Sequence, residues 1–144
     1  MAVKVREAFW REMERTYGQS AIHRVLGLSL RVIGEGEVIV EYDGRAEAGN
    51  RRGNAAGGAL TEMMDSACVQ ASRTLLEPDD HVTTLELKVN FTRPAPAGAA
   101  LTTSGRIEYI GRSAAVGLGR IEDPEGKLVA FGIVSIAIRR SQPS

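Results

Sequence analysis

One long apolar stripe with helical spacing, set in a chain otherwise patterned for strands, most constrains what this sequence can fold into. Within residues 58–76, Leu60, Met63, Met64, Ala67, Cys68, Ala71 and Leu75 recur at helical spacing and gather on one face. The segment is entered through GNRRGNAAGG, too rich in glycine, asparagine and arginine to continue a strand, and Pro78-Asp79-Asp80 ends it. Elsewhere the pattern is mostly extended. LSLRVI and VIVEY flank Gly34-Glu35-Gly36 and predict a hairpin; residues 81–93 alternate, and 100–110 and 113–122 follow, broken near Gly111. Asp123-Pro124-Glu125-Gly126 is a turn by composition. The last run, KLVAFGIVSIAI, is apolar on both faces and predicts a strand covered on both sides. Residues 3–17 predict an amphipathic helix, with Val5, Phe9, Met13 and Tyr17 at four-residue spacing and Gly18 as its stop. One long helix against five or six antiparallel strands buries only one sheet face well, so the other is polar or covered by a second subunit.

A length of 144 residues suits a single domain, 1–144, with 1–18 as its N-terminal helix. Hydrophobic residues at 43% and charged residues at 25% fit a folded chain rather than a disordered one. Lys plus Arg and Asp plus Glu both total 18, which removes the usual electrostatic argument for nucleic acid or an anionic membrane as partner. Cys68 is the single cysteine, so no intramolecular disulfide forms and a cysteine-based metal site is implausible. No run approaches the roughly 18 apolar residues of a membrane span. The N-terminus, MAVKVREAFWREMER, lacks the apolar core of a signal peptide, and a cytoplasmic protein is expected.

Familiar catalytic patterns are missing. His23 and His81 have no partners at metal-ligand spacing, no G-x-S-x-G elbow occurs, and Gly57-Gly58 is not a phosphate loop because no lysine with serine or threonine follows. Cys68 sits on the apolar stripe without an obvious base, as a buried inert thiol does. Three features remain. Gly57-Gly58 stands at a helix start, where unpaired N–H groups and the positive dipole end suit an oxyanion, or where glycines simply permit a tight entry turn. Asp65 lies about two turns further on, off the centre of the stripe, either as a functional acid or as a solvated one. In HVTTLELKVNF, strict alternation puts His81, Thr83, Leu85, Leu87, Val89 and Phe91 on one face. Thr83 is then the inward hydroxyl, or a β-former placed for propensity.

Taken together, Asn50, Gly53, Ala56-Gly57-Gly58 and Asp65 resemble the motif of the hotdog-fold acyl-CoA thioesterases, in the branch related to the phenylacetate-pathway enzymes. TTLELKVNFTRPAPAG, Gly111-Arg112 and DPEGKLVA match that family in order and separation, and the resemblance spans roughly residues 20–139. It implies an α+β hotdog fold: a long helix wrapped by an antiparallel sheet, dimerised so that two sites lie at the interface. It further implies acyl-CoA hydrolysis without a cofactor; no metal is expected, and the two-faced apolar last strand makes the expected assembly a homodimer or homotetramer. By the resemblance, Gly57 offers its N–H to the thioester carbonyl, with Gly58 beside it. Asp65, reaching substrate held by the other subunit, is nucleophile or general base, and Thr83 orients the water or the acid. Asn50 contacts the thioester region or the leaving group, and Arg112, Arg51 and Arg52 meet CoA phosphates. One departure stands out: the family's histidine is Ala56 here. That loss motivates a second expectation, a hotdog protein that binds acyl-CoA without turning it over.

Overall fold

The computed structural model describes residues 2–142. After helix α1 (Val3–Thr16), a 3-10 turn and a short helix α2 (Ala21–Leu26) lead into strands β1 (Leu28–Gly34) and β2 (Glu37–Tyr42). The long helix α3 (Gly57–Arg73) follows, and then β3 (His81–Phe91), β4 (Leu101–Ile110), β5 (Ala114–Glu122) and β6 (Leu128–Arg139). The strands form one antiparallel sheet in the order β1-β2-β4-β5-β6-β3, so β1 and β3 are its edges. Six strands against one long helix is the hotdog arrangement that the resemblance implies.

The predicted stripe is the buried face of α3: Leu60, Met63, Met64, Ala67, Cys68 and Ala71 are all buried. The helix stops three residues short of the predicted end, so Leu75 falls in a turn. Thr74 causes the stop, because its Oγ1 donates to the Ala71 carbonyl and accepts the Gly36 N–H, each at 2.7 Å. At the opposite layer, glycines make the close approach possible. A Cβ at Gly105 on β4 would lie 2.6 Å from the Ala67 carbonyl, and one at Gly119 on β5 would overlap the Met64 sulfur. Only a bare backbone lets α3 lie this near the sheet.

α1 closes the far end of α3. Trp10 Nε1 donates to the Thr74 carbonyl (3.2 Å), the Arg73 guanidinium lies 5.5 Å from the Phe9 ring centroid, and Glu14 accepts the N–H of Val32 on edge strand β1. Of the predicted α1 stripe, Met13 and Tyr17 are buried, whereas Val5 is exposed. The short helix α2 has no counterpart in the predicted order; its C-terminal Gly27 adopts φ 68° and accepts no further turn.

One prediction about the strands needs correction. The register of β3 against β6 shifts between Thr84 and Glu86, a bulge that leaves Leu85 68% exposed. One extra residue swaps the faces. Val82 and Thr84 turn inward before the bulge, Leu87 and Val89 after it, and Thr83 faces outward and is exposed. The last strand, β6, is buried on one face only within the chain. Val134 and Ile136 are inside, while Phe131 and Ile133 lie open on the outer face of the sheet. With Ile33, Ile39 and Leu118 they line an apolar depression of about 650 Å³.

Gly105→Ala is expected to destabilise the fold by about 2 kcal/mol, because the added methyl meets helix backbone that cannot yield. Gly18→Ala, with nothing within 4 Å of the new Cβ, serves as the control. Urea unfolding of the two variants measures the difference.

Candidate active site

α3 opens with no side-chain cap. Its N-cap, Ala56, has extended backbone (φ −67°, ψ 143°), and its carbonyl accepts the Leu60 N–H at 3.1 Å. The N–H groups of Gly57, Gly58 and Ala59 therefore stand in the first turn, where the helix itself supplies no acceptor and the dipole is positive. A Cβ on Gly57 would sit 3.4 Å from Phe91 Cζ, so the ring at the end of β3 flanks the helix start.

The preceding loop is organised by Asn50. Its Oδ1 accepts the N–H groups of Arg52 (2.9 Å) and Asn54 (3.1 Å), and Gly53, at φ 78°, donates to its carbonyl at 3.0 Å. With Oδ1 used inside the loop, the Asn50 amide nitrogen makes no hydrogen bond among the described residues. Asn50, Asn54, Arg52, Gly57, Leu60 and Phe91 border a cavity of about 370 Å³, which Arg93 also lines. Arg52, rather than Arg51, is the arginine of the loop that reaches this cavity.

Asp65 lies eight residues beyond Gly57, about 12 Å along the helix axis. Its half-buried carboxylate accepts a 2.6 Å hydrogen bond from the hydroxyl of Thr84. The hydroxyl on the acid is thus Thr84 and not Thr83, which the bulge in β3 turns away. Arg112 stands in the β4–β5 turn, where its carbonyl accepts from Arg140 Nε at 3.3 Å. That is the His81 end of β3, roughly 30 Å of strand from Phe91 and Gly57. Within one chain the structure therefore gathers Asn50, Ala56, Gly57 and Gly58 at one end of α3. Asp65 with Thr84 lies part-way along, and Arg112 lies at the opposite end.

Cys68 and the buried His23 are structural. Burial, reinforced by the Asp65 charge, pushes the Cys68 thiol up to about 12, which leaves it unreactive. Among the described residues, no three His, Cys, Asp or Glu side chains are placed to hold a metal ion, and no helix is long and apolar enough to cross a membrane. His23, almost wholly buried, stacks on Tyr17 with ring centroids 3.9 Å apart. Its Nδ1–H donates to the Tyr17 carbonyl (2.8 Å), while Nε2 faces Glu62 (3.3 Å) and the Ser66 hydroxyl (3.5 Å). The Tyr17 hydroxyl meets Ser66 at 2.6 Å. The cluster ties the N-terminal helices to α3 beside Asp65.

The family model described as the thioesterase superfamily matches residues 52–130. No curated protein matches the chain by sequence. Among solved structures, a thioesterase of Haemophilus influenzae is 18% identical with a TM-score of 0.83, over 91% of this chain and 90% of that one. The E. coli PaaI protein, from the phenylacetic acid degradation operon, is 22% identical with a TM-score of 0.82, over 96% of each chain. A Streptococcus mutans protein bound to acetyl CoA is 20% identical with a TM-score of 0.73, over 81% of this chain and 91% of that one. At these identities the likeness shows the fold.

The buried His23 cluster has a consequence for stability. Burial pulls the imidazole down, but the Glu62 carboxylate and the Tyr17 carbonyl together outweigh it and hold His23 above its ordinary value of 6.5. A raised folded-state value means that the stabilisation is fully present below pH 6.5 and is lost as pH rises through the folded value. Wild-type stability, followed by urea unfolding at a series of pH values, is expected to fall across that window. In His23→Gln the fall is expected to be reduced; an unchanged slope would contradict the assignment.

Proposed function

The chain belongs to the thioesterase superfamily, and we propose that it hydrolyses acyl-CoA thioesters, with aryl-CoA among the candidates, at a site shared between two subunits. The observation that carries this reading is the separation, on one helix, of an uncapped N-terminus from an acid that holds a hydroxyl. A thioester carbonyl at the Gly57 N–H and a water at Asp65 must be adjacent to react, yet in one chain they lie about 12 Å apart. A second copy removes the gap. β3 is an edge strand, paired only with β6. Antiparallel pairing of two β3 edges about an axis near Leu87 sets Thr84 of the partner subunit opposite Asn90, next to Phe91 and Gly57. Asp65 of the partner subunit then faces the carbonyl.

The chemistry follows from those positions. The Gly57 N–H, with Gly58 behind it, stabilises the negative charge that develops on the carbonyl oxygen. Asp65, oriented by Thr84, either takes a proton from the attacking water or attacks the carbonyl carbon itself. On the first path the carbon–sulfur bond breaks and the proton taken from water passes to the thiolate of CoA. On the second the same bond breaks to leave an acyl–Asp65 anhydride, which a water then hydrolyses to the free acid and the carboxylate, its proton passing to the thiolate. The Asn50 amide nitrogen serves the thioester region, and no cofactor is needed. Arg112 of the partner subunit approaches the same composite site from its own helix end and suits CoA phosphate, as Arg52 does from the loop; Arg51, exposed beside it, is the weaker candidate. The acetyl CoA of the S. mutans relative supports CoA as carrier, and the operon of E. coli PaaI supports an aryl substrate. The open apolar face of the sheet supports a homotetramer built from such dimers.

Ala56 favours a second reading, an acyl-CoA-binding protein with little turnover. The residue caps α3 through backbone alone and offers no side-chain group to the thioester. Calorimetric binding of a thioester with no hydrolysis over hours would decide for it.

Release of free CoA from a panel of acyl- and aryl-CoA thioesters is expected to fall about a thousandfold in Asp65→Asn. In Thr84→Val it is expected to fall roughly tenfold, because the acid loses its orienting donor. Thr83→Val is expected to stay near wild type. Equal rates for wild type and Asp65→Asn would remove the acid from the mechanism. Light scattering is expected to give a dimer or a multiple of it; a stable 15.5 kDa monomer would exclude the shared site.

A further inference from the structure

Among the described residues, no carboxylate walls the cavity at Gly57. Its polar lining consists of Asn50, Asn54, Thr92, Arg52 and Arg93, set beside the positive end of α3. In a chain of zero net charge this is a local concentration of donors and cations. Arg93 is brought there by backbone pairing between two loops. The Ala55 N–H donates to the Ala95 carbonyl (2.8 Å) and the Ala97 N–H to the Gly53 carbonyl (2.9 Å), so the segment after β3 lies against the entry to α3.

The guanidinium is also held in place. Arg93 Nη1 lies 3.6 Å from Asp123 Oδ2. Asp123 is itself fixed, because its Oδ1 accepts the N–H groups of Glu125 and Lys127, each at 2.9 Å. The Lys127 hydrogen bond foremost, with the Glu125 N–H and the charges of Arg93 and Lys127, holds the Asp123 carboxyl below its ordinary range despite partial burial. At 3.6 Å the pair is an ion pair without a direct hydrogen bond, so Asp123 orients the guanidinium and leaves its N–H donors available.

We propose that Arg93, oriented by Asp123, binds an anionic oxygen of the substrate at the mouth of the Gly57 cavity. This rests on the thioesterase reading and adds to it a binding residue, Arg93, and a positioning residue, Asp123. The anionic oxygen has two possible sources, a carboxylate carried by the acyl group or a phosphate of CoA.

The test compares wild type, Arg93→Ala, Arg93→Lys and Asp123→Asn on hexanoyl-CoA, glutaryl-CoA and the corresponding N-acetylcysteamine thioesters, which carry no phosphate. Arg93→Ala is expected to raise KM about tenfold with little change in kcat. Arg93→Lys keeps the charge but loses the fork and recovers part of the loss. Asp123→Asn keeps an oxygen acceptor for the turn and raises KM by a smaller factor. A rise with both CoA thioesters but neither truncated one assigns the anion to a phosphate. A rise with both glutaryl thioesters but neither hexanoyl one assigns it to the acyl carboxylate. An unchanged KM on all four, or a uniform loss of kcat, overturns the proposal. If wild type hydrolyses none of the four, the hydrolase reading fails by itself. Calorimetric titration with hexanoyl-CoA and glutaryl-CoA then still reads Arg93: tenfold weaker binding of either by Arg93→Ala upholds the anion site, and equal binding of both overturns it.

Discussion

The contact between α3 and the bare backbone of β4 and β5 is the constraint from which the rest of the molecule follows. Gly105 and Gly119 let Ala67 and Met64 settle directly on the sheet, and Gly117 receives Cys68 in the same way. That approach seals Met63, Met64, Ala67, Cys68 and Ala71 from solvent. Burying a Met or Leu side chain stabilises by roughly 1.5–3 kcal/mol, so this seam is a large share of what holds the layers together. It also fixes the rotation of the helix about its axis. With Met64 and Cys68 pressed on the glycines, Asp65 is left on the flank toward β3, where Thr84 meets it.

A rigid helix has a further consequence at its start. Around the entry turn the Ala56 N–H donates to the Ala48 carbonyl and the Ala55 N–H to the Ala95 carbonyl, and the uncapped N–H groups stand beside the cavity. The family's histidine would add a side chain at the N-cap. Here the cap geometry is kept by backbone alone, so Ala56 removes a chemical group without removing the fold. On the proposed reading one chain cannot bring Gly57 and Asp65 together, because eight residues of helix separate them.

Much of this was legible in the sequence, and the reasons are local. The stripe from Leu60 to Ala71 is a period-3.6 signal that needs no knowledge of the sheet, and the Gly34-Glu35-Gly36 hairpin is a turn signal between alternating runs. The distance from Gly57 to Asp65 follows from the sequence because a helix converts sequence distance directly into space. Thr84 was not legible: whether residue 83 or 84 faces the helix depends on a bulge, and the bulge is set by pairing with β6, about fifty residues away in the chain. Arg93 escaped notice for a similar reason. Nothing in TRPAPAG says that the loop after β3 returns to the start of α3; that is decided by long-range backbone pairing at Ala55 and Ala97. Arg112 shows the converse, a residue grouped with the site by motif order that one chain places at the far end of the sheet.

The central claim is that each site draws its N–H donor from one subunit and its acid from the other, and mixing two crippled chains tests it most directly. Gly57→Pro removes the donor at the first helical position, where proline is accepted and where Ala56 already has the extended backbone that proline requires of its predecessor. Asp65→Asn removes the acid. Each homodimer should be nearly inactive in CoA release. Unfolding the two together and refolding them as an equimolar mixture makes heterodimers in which one site carries both lesions and the other carries neither, so activity should return to about a quarter of wild type. If the mixture stays as inactive as its parents while light scattering shows that dimers have formed, donor and acid belong to the same chain, and the shared site is wrong.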